Sequence, residues 1–146
     1  MPTGTVESIH LVAEHGGPPA PADAVVGEPG RGLRGDRHHG RQDGDDLTLI
    51  EAEALERLSE ANGVDLPPGA SRRNVTTRGV DLGTLIGRRF RVGEVVCEGE
   101  ERCEPCRHLA ELTEPDVLRG LVHTGLSAAI VEGGTIRVGD AIEPLD

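Results

Sequence analysis

The chain has no lysine; all fifteen of its basic residues are arginine. Without a lysine amine no Schiff base can form, which excludes a covalently held pyridoxal phosphate on this chain. Tryptophan and tyrosine are missing too, and Phe90 stands alone among Phe, Trp and Tyr. The platforms on which proteins stack nucleic-acid bases are therefore absent. Charge argues the same way: 26 acidic residues against 15 basic ones leave a net charge of −11, the wrong sign for general nucleic-acid binding. Three unevenly spaced cysteines make no secreted disulfide framework. The opening MPTGTVESIH lacks the basic start and apolar run of a signal peptide, and no stretch has the length of a membrane span. The expectation is a single soluble, cytoplasmic domain over residues 1–146, large enough to bury a core unaided. That core must come from Val, Leu, Ile and Ala.

What is present is unevenly distributed. Residues 31–41, RGLRGDRHHGR, carry a net charge of +3, and residues 72–91, RRNVTTRGVDLGTLIGRRFR, carry +5. Two basic stretches in an acidic chain point to a local anion site, built from the residue best suited to bidentate phosphate recognition. Solvated loop charges would give the same composition.

Alternation in Thr5–Val12 predicts an opening strand. The Pro/Gly/Ala-rich 16–24 and the Gly-rich, charged 27–46 read as loops, the second long enough to carry function. Thr48 and Glu51 have the spacing of a capping box. Leu47, Ile50, Ala54, Leu58 and Ala61 then follow at helical spacing, predicting a helix over 48–62 that Gly63 stops. Beyond it come a short strand at 74–77, one helical turn around Leu82, Leu85 and Ile86, and a strand over 88–98 with a bulge at Gly93. A short helix is expected at 104–112. Segments 128–132 and 135–138 read as a hairpin with a primed turn at Gly133-Gly134, and Gly139-Asp140 turns the chain into 141–144. Many short strands, Gly turns and one good helix predict a mainly β fold, a barrel or a sandwich.

Three motifs carry chemistry. Cys103-x-x-Cys106 with His108 nearby resembles half of a zinc site, but a closed tetrahedron needs four ligands and the second pair is missing; His38 and His39 could complete it. A reactive cysteine with Arg102 and Arg107 as neighbours is the other reading, because adjacent cations lower a thiol pKa. Cys97, inside a Val-rich strand, reads as merely buried. The second motif, Gly35-Asp36-Arg37-His38-His39-Gly40, presents an acid, a guanidinium and two imidazoles between turn-forming glycines, as a polar turn would also do. The third, Ser71 to Gly79, joins Arg72, Arg73 and Arg78 to Asn74, Thr76 and Thr77, a set suited to a phosphate or a polar heterocycle.

The order of these blocks is more specific than any one of them. GLRGDRHHG, DLTLIEAEALE, RRNVTTRGVDLGTLIGRRFRVG, CEPC and GLSAAIVEGGTIRVGD together resemble the MOSC domain, the family named for the C-terminal region of molybdenum cofactor sulfurase. The resemblance runs from about Thr5 to Glu143. It implies a β-barrel of the pyruvate-kinase-like type with helices at its margin, and binding of molybdenum cofactor. It places Cys106 as the family's cysteine, a molybdenum ligand in some members and a proposed persulfide carrier in others. Arg72, Arg73, Asn74, Thr76 and Arg78 would then face the pterin and its phosphate, with Asp36 and His38 near the metal. Two functions follow from the likeness. One is a molybdenum-dependent oxidoreductase that reduces a small N-hydroxylated substrate with electrons from a separate reductase. The other is a sulfur carrier served by a cysteine desulfurase, with Cys103 able to resolve a persulfide on Cys106. A zinc-stabilised binding module is the third reading.

Overall fold

Val6 and Ile9 are both buried although they stand three apart in a segment of alternating pattern. The strand that holds them, β1 (Gly4–Leu11), explains the spacing, because its register shifts between Val6 and Ser8. A bulge adds one residue and restores the inward face. The computed structural model of the chain describes residues 4–13, 19–36, 39–40, 46–62, 73–102 and 125–145. In chain order these hold β1, β2 (Ala20–Ala22), β3 (Ala24–Glu28), β4 (Gly32–Leu33), β5 (Leu47–Glu51), α1 (Ala52–Asn62), β6 (Val75–Arg78), a 3-10 turn (Leu82–Leu85), β7 (Arg89–Val92), β8 (Val95–Arg102), β9 (Gly125–Glu132), β10 (Gly134–Arg137) and β11 (Ala141–Leu145).

Among the described residues, seven strands close into a barrel in the order β11-β7-β8-β9-β5-β6-β1, and β1 completes the ring by pairing with β11. All neighbours are antiparallel except β5 and β6, which run parallel. Such a pair needs a crossover, and α1 lies within it against both strands. β2 extends the sheet beyond β1, and its Pro21 is tolerated because an edge strand can spare the missing N–H. A second sheet, β10-β3-β4, contributes Val25, Leu33 and Ile136 to the same core. Phe90 is fully buried there among aliphatic side chains.

Several expectations need correction. Leu47–Glu51 is strand, so Thr48 and Glu51 form no capping box and the helix begins at Ala52. Leu47 and Leu49 point into the core while Thr48 and Ile50 are buried on the opposite face. A strand covered on both sides loses its two-residue alternation, and pairing on both edges overrides the helical signal. Ala20–Ala22 and Gly32–Leu33 are strands inside segments that read as loops. Gly93, at φ +58°, is the turn of the β7–β8 hairpin instead of a bulge. β10 pairs with β3 and not with β9, and neither Gly133 nor Gly134 has the positive φ that a primed turn requires. The helix expected at 104–112 and the stop at Gly63 lie outside the described residues.

Candidate ligand-binding face

On β6 the inward residues are Val75 and Thr77, so Asn74, Thr76 and Arg78 share the outer face. An outward face of a small barrel ordinarily meets water. Here Asn74 is 7% exposed and Thr76 fully buried. Across the sheet, Thr76 stands opposite Ser8, Ile50 opposite Thr76, and Ser127 opposite Thr48. Thr48 and Ser127 are buried as well. The outer side of β9, β5 and β6 is thus a covered surface on which the polar Thr48, Thr76 and Ser127 accompany Ile50, and the half-buried Ser8 and His10 of β1 continue it.

Asn74 pins one end of it. Its Oδ1 accepts from the Thr48 backbone N–H at 3.1 Å and from the Thr48 hydroxyl at 3.0 Å. Its Nδ2 donates to the His10 carbonyl and to Asp36 Oδ1, each at 3.3 Å. Its own N–H donates to Thr48 Oγ1 at 3.0 Å, and its carbonyl accepts from His10 N–H at 2.7 Å. Asp36 Oδ1 also accepts from Val12 N–H at 3.0 Å, which ties the segment after β4 to the end of β1. Asp36 and Asn74, read from separate motifs, are therefore in contact, and Arg73 is the neighbour of Asn74 in the chain.

Arg78 closes the other end. Its guanidinium is engaged by Glu7 from β1 and by Glu56 from α1, the latter at 2.7 Å. Those carboxylates hold its pKa above the usual arginine value. One turn earlier on α1, Glu53 accepts from Gly79 N–H at 2.7 Å, and Glu51 accepts from Leu82 N–H at 3.1 Å. Burial raises the Glu51 pKa.

Between the two ends lie Thr76, which the sequence singled out, and Ser8 and His10, which it did not. Ser8 Oγ, His10 Nδ1 and Thr76 Oγ1 are buried and have no hydrogen-bond partner among the described residues. Burial lowers the His10 pKa, because it disfavours the charged imidazolium. The signal available for Ser8 and His10 was their alternation with Ile9, which looks like any solvated strand face.

The basic stretches do not merge into one patch. Arg88, Arg89 and Arg91 are exposed on and beside β7, three strands around the barrel from β6. Arg34 and the His39 ring both bond Glu28 and hold its carboxyl down to about 2. Cys97 is fully buried, and burial pushes its thiol up to about 12. Cys103, Cys106, His108, His38 and Arg72 lie outside the described residues. No group of three or more His, Cys, Asp or Glu side chains that could hold a metal occurs among the described residues. No helix among them is long and apolar enough to cross a membrane.

The architecture is that of a small mainly β protein, a closed barrel carrying one helix over a buried polar face. The model of the MOSC domain matches residues 35–143, and the chain belongs to that family. Among solved structures it is similar to the YuaD protein of Bacillus subtilis, at a TM-score of 0.80 and 20% identity, covering 99% of this chain and 98% of that one. YiiM from Geobacillus stearothermophilus matches at 0.76 and 16% identity, covering 98% and 75%. YiiM from Escherichia coli matches at 0.70 and 15%, covering 100% and 70%. At such identities the likeness is one of fold. No curated protein matches the chain by sequence.

Proposed function

We propose that this MOSC domain binds molybdenum cofactor and reduces a small N-hydroxylated compound at a molybdenum held by Cys106. The observation that carries the reading is the meeting of Asp36, Asn74 and Thr76, drawn from two separate motif blocks, at one buried polar face. The donor set suits the group. Buried polar atoms left unpartnered cost about 1–3 kcal/mol each, and a pterin offers both donors and acceptors to such atoms. When bound, the cofactor supplies a redox-active metal.

The chain's own residues then have distinct tasks. Arg72 and Arg73, leading into Asn74, offer planar guanidinium forks to the cofactor's phosphate. Cys106 offers a soft thiolate to the metal. Asp36 and His38 are the acid and base candidates. Asp36 is fixed for that task by Asn74 Nδ2 and Val12 N–H. Electrons come from a separate reductase.

The test is molybdenum and pterin analysis of protein purified anaerobically from a host that makes the cofactor. The expected result is both components in near-equal amounts, with molybdenum lost in Cys106→Ala. A sulfane-sulfur adduct on Cys106 in intact-mass spectra, with no metal or pterin retained, would overturn the reading and make the protein a sulfur carrier. Stoichiometric zinc in the folded protein would point instead to the zinc-stabilised module.

A further inference from the structure

We infer that the cleft beside the start of β7 binds a small phosphate monoester, its phosphate head at Arg88 and Arg89 and its apolar body against Leu145. The assignment stands apart from the cofactor reading, because the cleft lies three strands around the barrel from β6. Its volume is about 260 Å³, and among the described residues Gly87, Arg88, Arg89 and Leu145 line it. That is less than the ~300–1,000 Å³ of sites for drug-sized ligands. A phosphate with a short organic group fits such a space, and a dinucleotide does not.

The backbone that carries the two arginines is held on both edges. Arg88 N–H donates to the Leu85 carbonyl at 3.1 Å, and its carbonyl accepts from Gly99 N–H at 2.9 Å. Gly87 N–H donates to the Gly99 carbonyl at 2.9 Å. Arg89 pairs with Glu98 of β8 on one side and with Leu145 of β11 on the other. Both side chains thus start from fixed points, and binding has to order only their own rotamers. Gly87 completes the wall. At φ +74° it turns the chain into β7, and a Cβ on it would meet no atom within 4 Å. The space beside it is therefore open to a ligand.

Charge then selects the occupant. Arg34, Arg78 and Arg137 are each engaged by carboxylates. Arg88 and Arg89 are exposed and make no ion pair or side-chain hydrogen bond among the described residues. Glu98 stands on the side of Arg89 away from Leu145, and Glu143 stands opposite Arg91. Neither carboxylate lines the cleft. One guanidinium fork is enough to match a carboxylate, whereas two forks match the three oxygens of a phosphate monoester. Leu145, half-buried beside them, offers the apolar contact.

The experiment titrates phenyl phosphate, inorganic phosphate and benzoate, at one ionic strength, into the isotope-labelled full chain and follows its amide resonances. Wild type is compared with Arg88→Gln, Arg89→Gln, Arg88→Gln/Arg89→Gln and Arg72→Gln/Arg73→Gln. Phenyl phosphate should shift the amides of Gly87, Arg88, Arg89 and Leu145. It should bind more tightly than inorganic phosphate and about ten-fold more tightly than benzoate. Each single variant at Arg88 or Arg89 should weaken it about five-fold, and the double variant should abolish saturation. Arg72→Gln/Arg73→Gln should leave these shifts as in wild type whatever it does to cofactor content, so the two readings fail separately. The absence of a saturable shift at Gly87, Arg88 and Arg89 in wild type would overturn the site. So would saturation that survives the double variant, or shifts that disappear with Arg72 and Arg73 alone. Benzoate binding as tightly as phenyl phosphate, or inorganic phosphate doing so, would overturn the phosphate monoester as its ligand.

Discussion

Cys97 shows how much of a residue's chemistry is set by its surroundings. Its thiol faces the core, fully buried, with the Asp46 carboxylate adding to the burial that raises its pKa to about 12. In the unfolded chain the same thiol ionises near 9. Between those values the folded state holds a proton that the unfolded state has released, so stability falls as pH rises through the window. The chain has neither Lys nor Tyr, so that window is otherwise silent except for the remaining cysteines. In Cys103→Ala/Cys106→Ala, urea unfolding should show little change between about pH 8 and pH 9 and a steady loss above it. The same variant should leave thiol reagents unconsumed until it is unfolded. Rapid labelling of the native protein would contradict the burial of Cys97.

Elements were legible where one face met the core and one met water. β1 and β7 alternate, and β6 is β-branched, so their existence follows from the residues alone. β5 was hidden because Leu47, Leu49 and Ile50 are buried on opposite faces, and four apolar or small residues in a row fit a helix as well as a doubly covered strand. The partner of β10 was equally hidden, since β3 lies more than a hundred residues earlier and no local signal names it. The same limit applied to the site. Asp36, Asn74 and Thr76 were visible through the order of motifs. Ser8 and His10 become visible through their register with β6 and the burial of that face.

Gly99 gives a test at this scale. It lies on β8, where its N–H donates to the Arg88 carbonyl and its carbonyl accepts from Gly87 N–H, both at 2.9 Å. A Cβ at that position would stand 2.1 Å from the Leu85 carbonyl oxygen. Gly99→Ala must therefore push the 3-10 turn off the barrel, at a cost of about 1–3 kcal/mol. Denaturant unfolding would measure it, and an unchanged midpoint would mean that the turn is not packed as described.

At the scale of the molecule, the arginines that looked like one extended basic segment are distributed around a ring. Arg78 stands at one end of the outer face of β6, held by Glu7 and Glu56, while Arg88, Arg89 and Arg91 lie three strands away. The net charge of −11 therefore describes a surface on which cations are interspersed, with several paired to carboxylates. The ring itself depends on β11, which links β7 to β1. Deleting residues 141–146 removes Ile142 from the core and leaves two strand edges open. The truncated chain should lose its sharp unfolding transition and bind a hydrophobic dye. A cooperative melt at the parent Tm would show that closure contributes nothing.

Closure has a further consequence, in time. Gly4 pairs with Ile142, so the seam of the barrel joins the first strand to the last. A chain emerging from the ribosome must hold β1 without this neighbour until β11, more than a hundred residues later, has been made. Because non-local pairing is the slow part of folding, the seam should be the last region to gain amide protection in pulsed hydrogen exchange, after the β7–β8 hairpin, whose strands are separated by two residues.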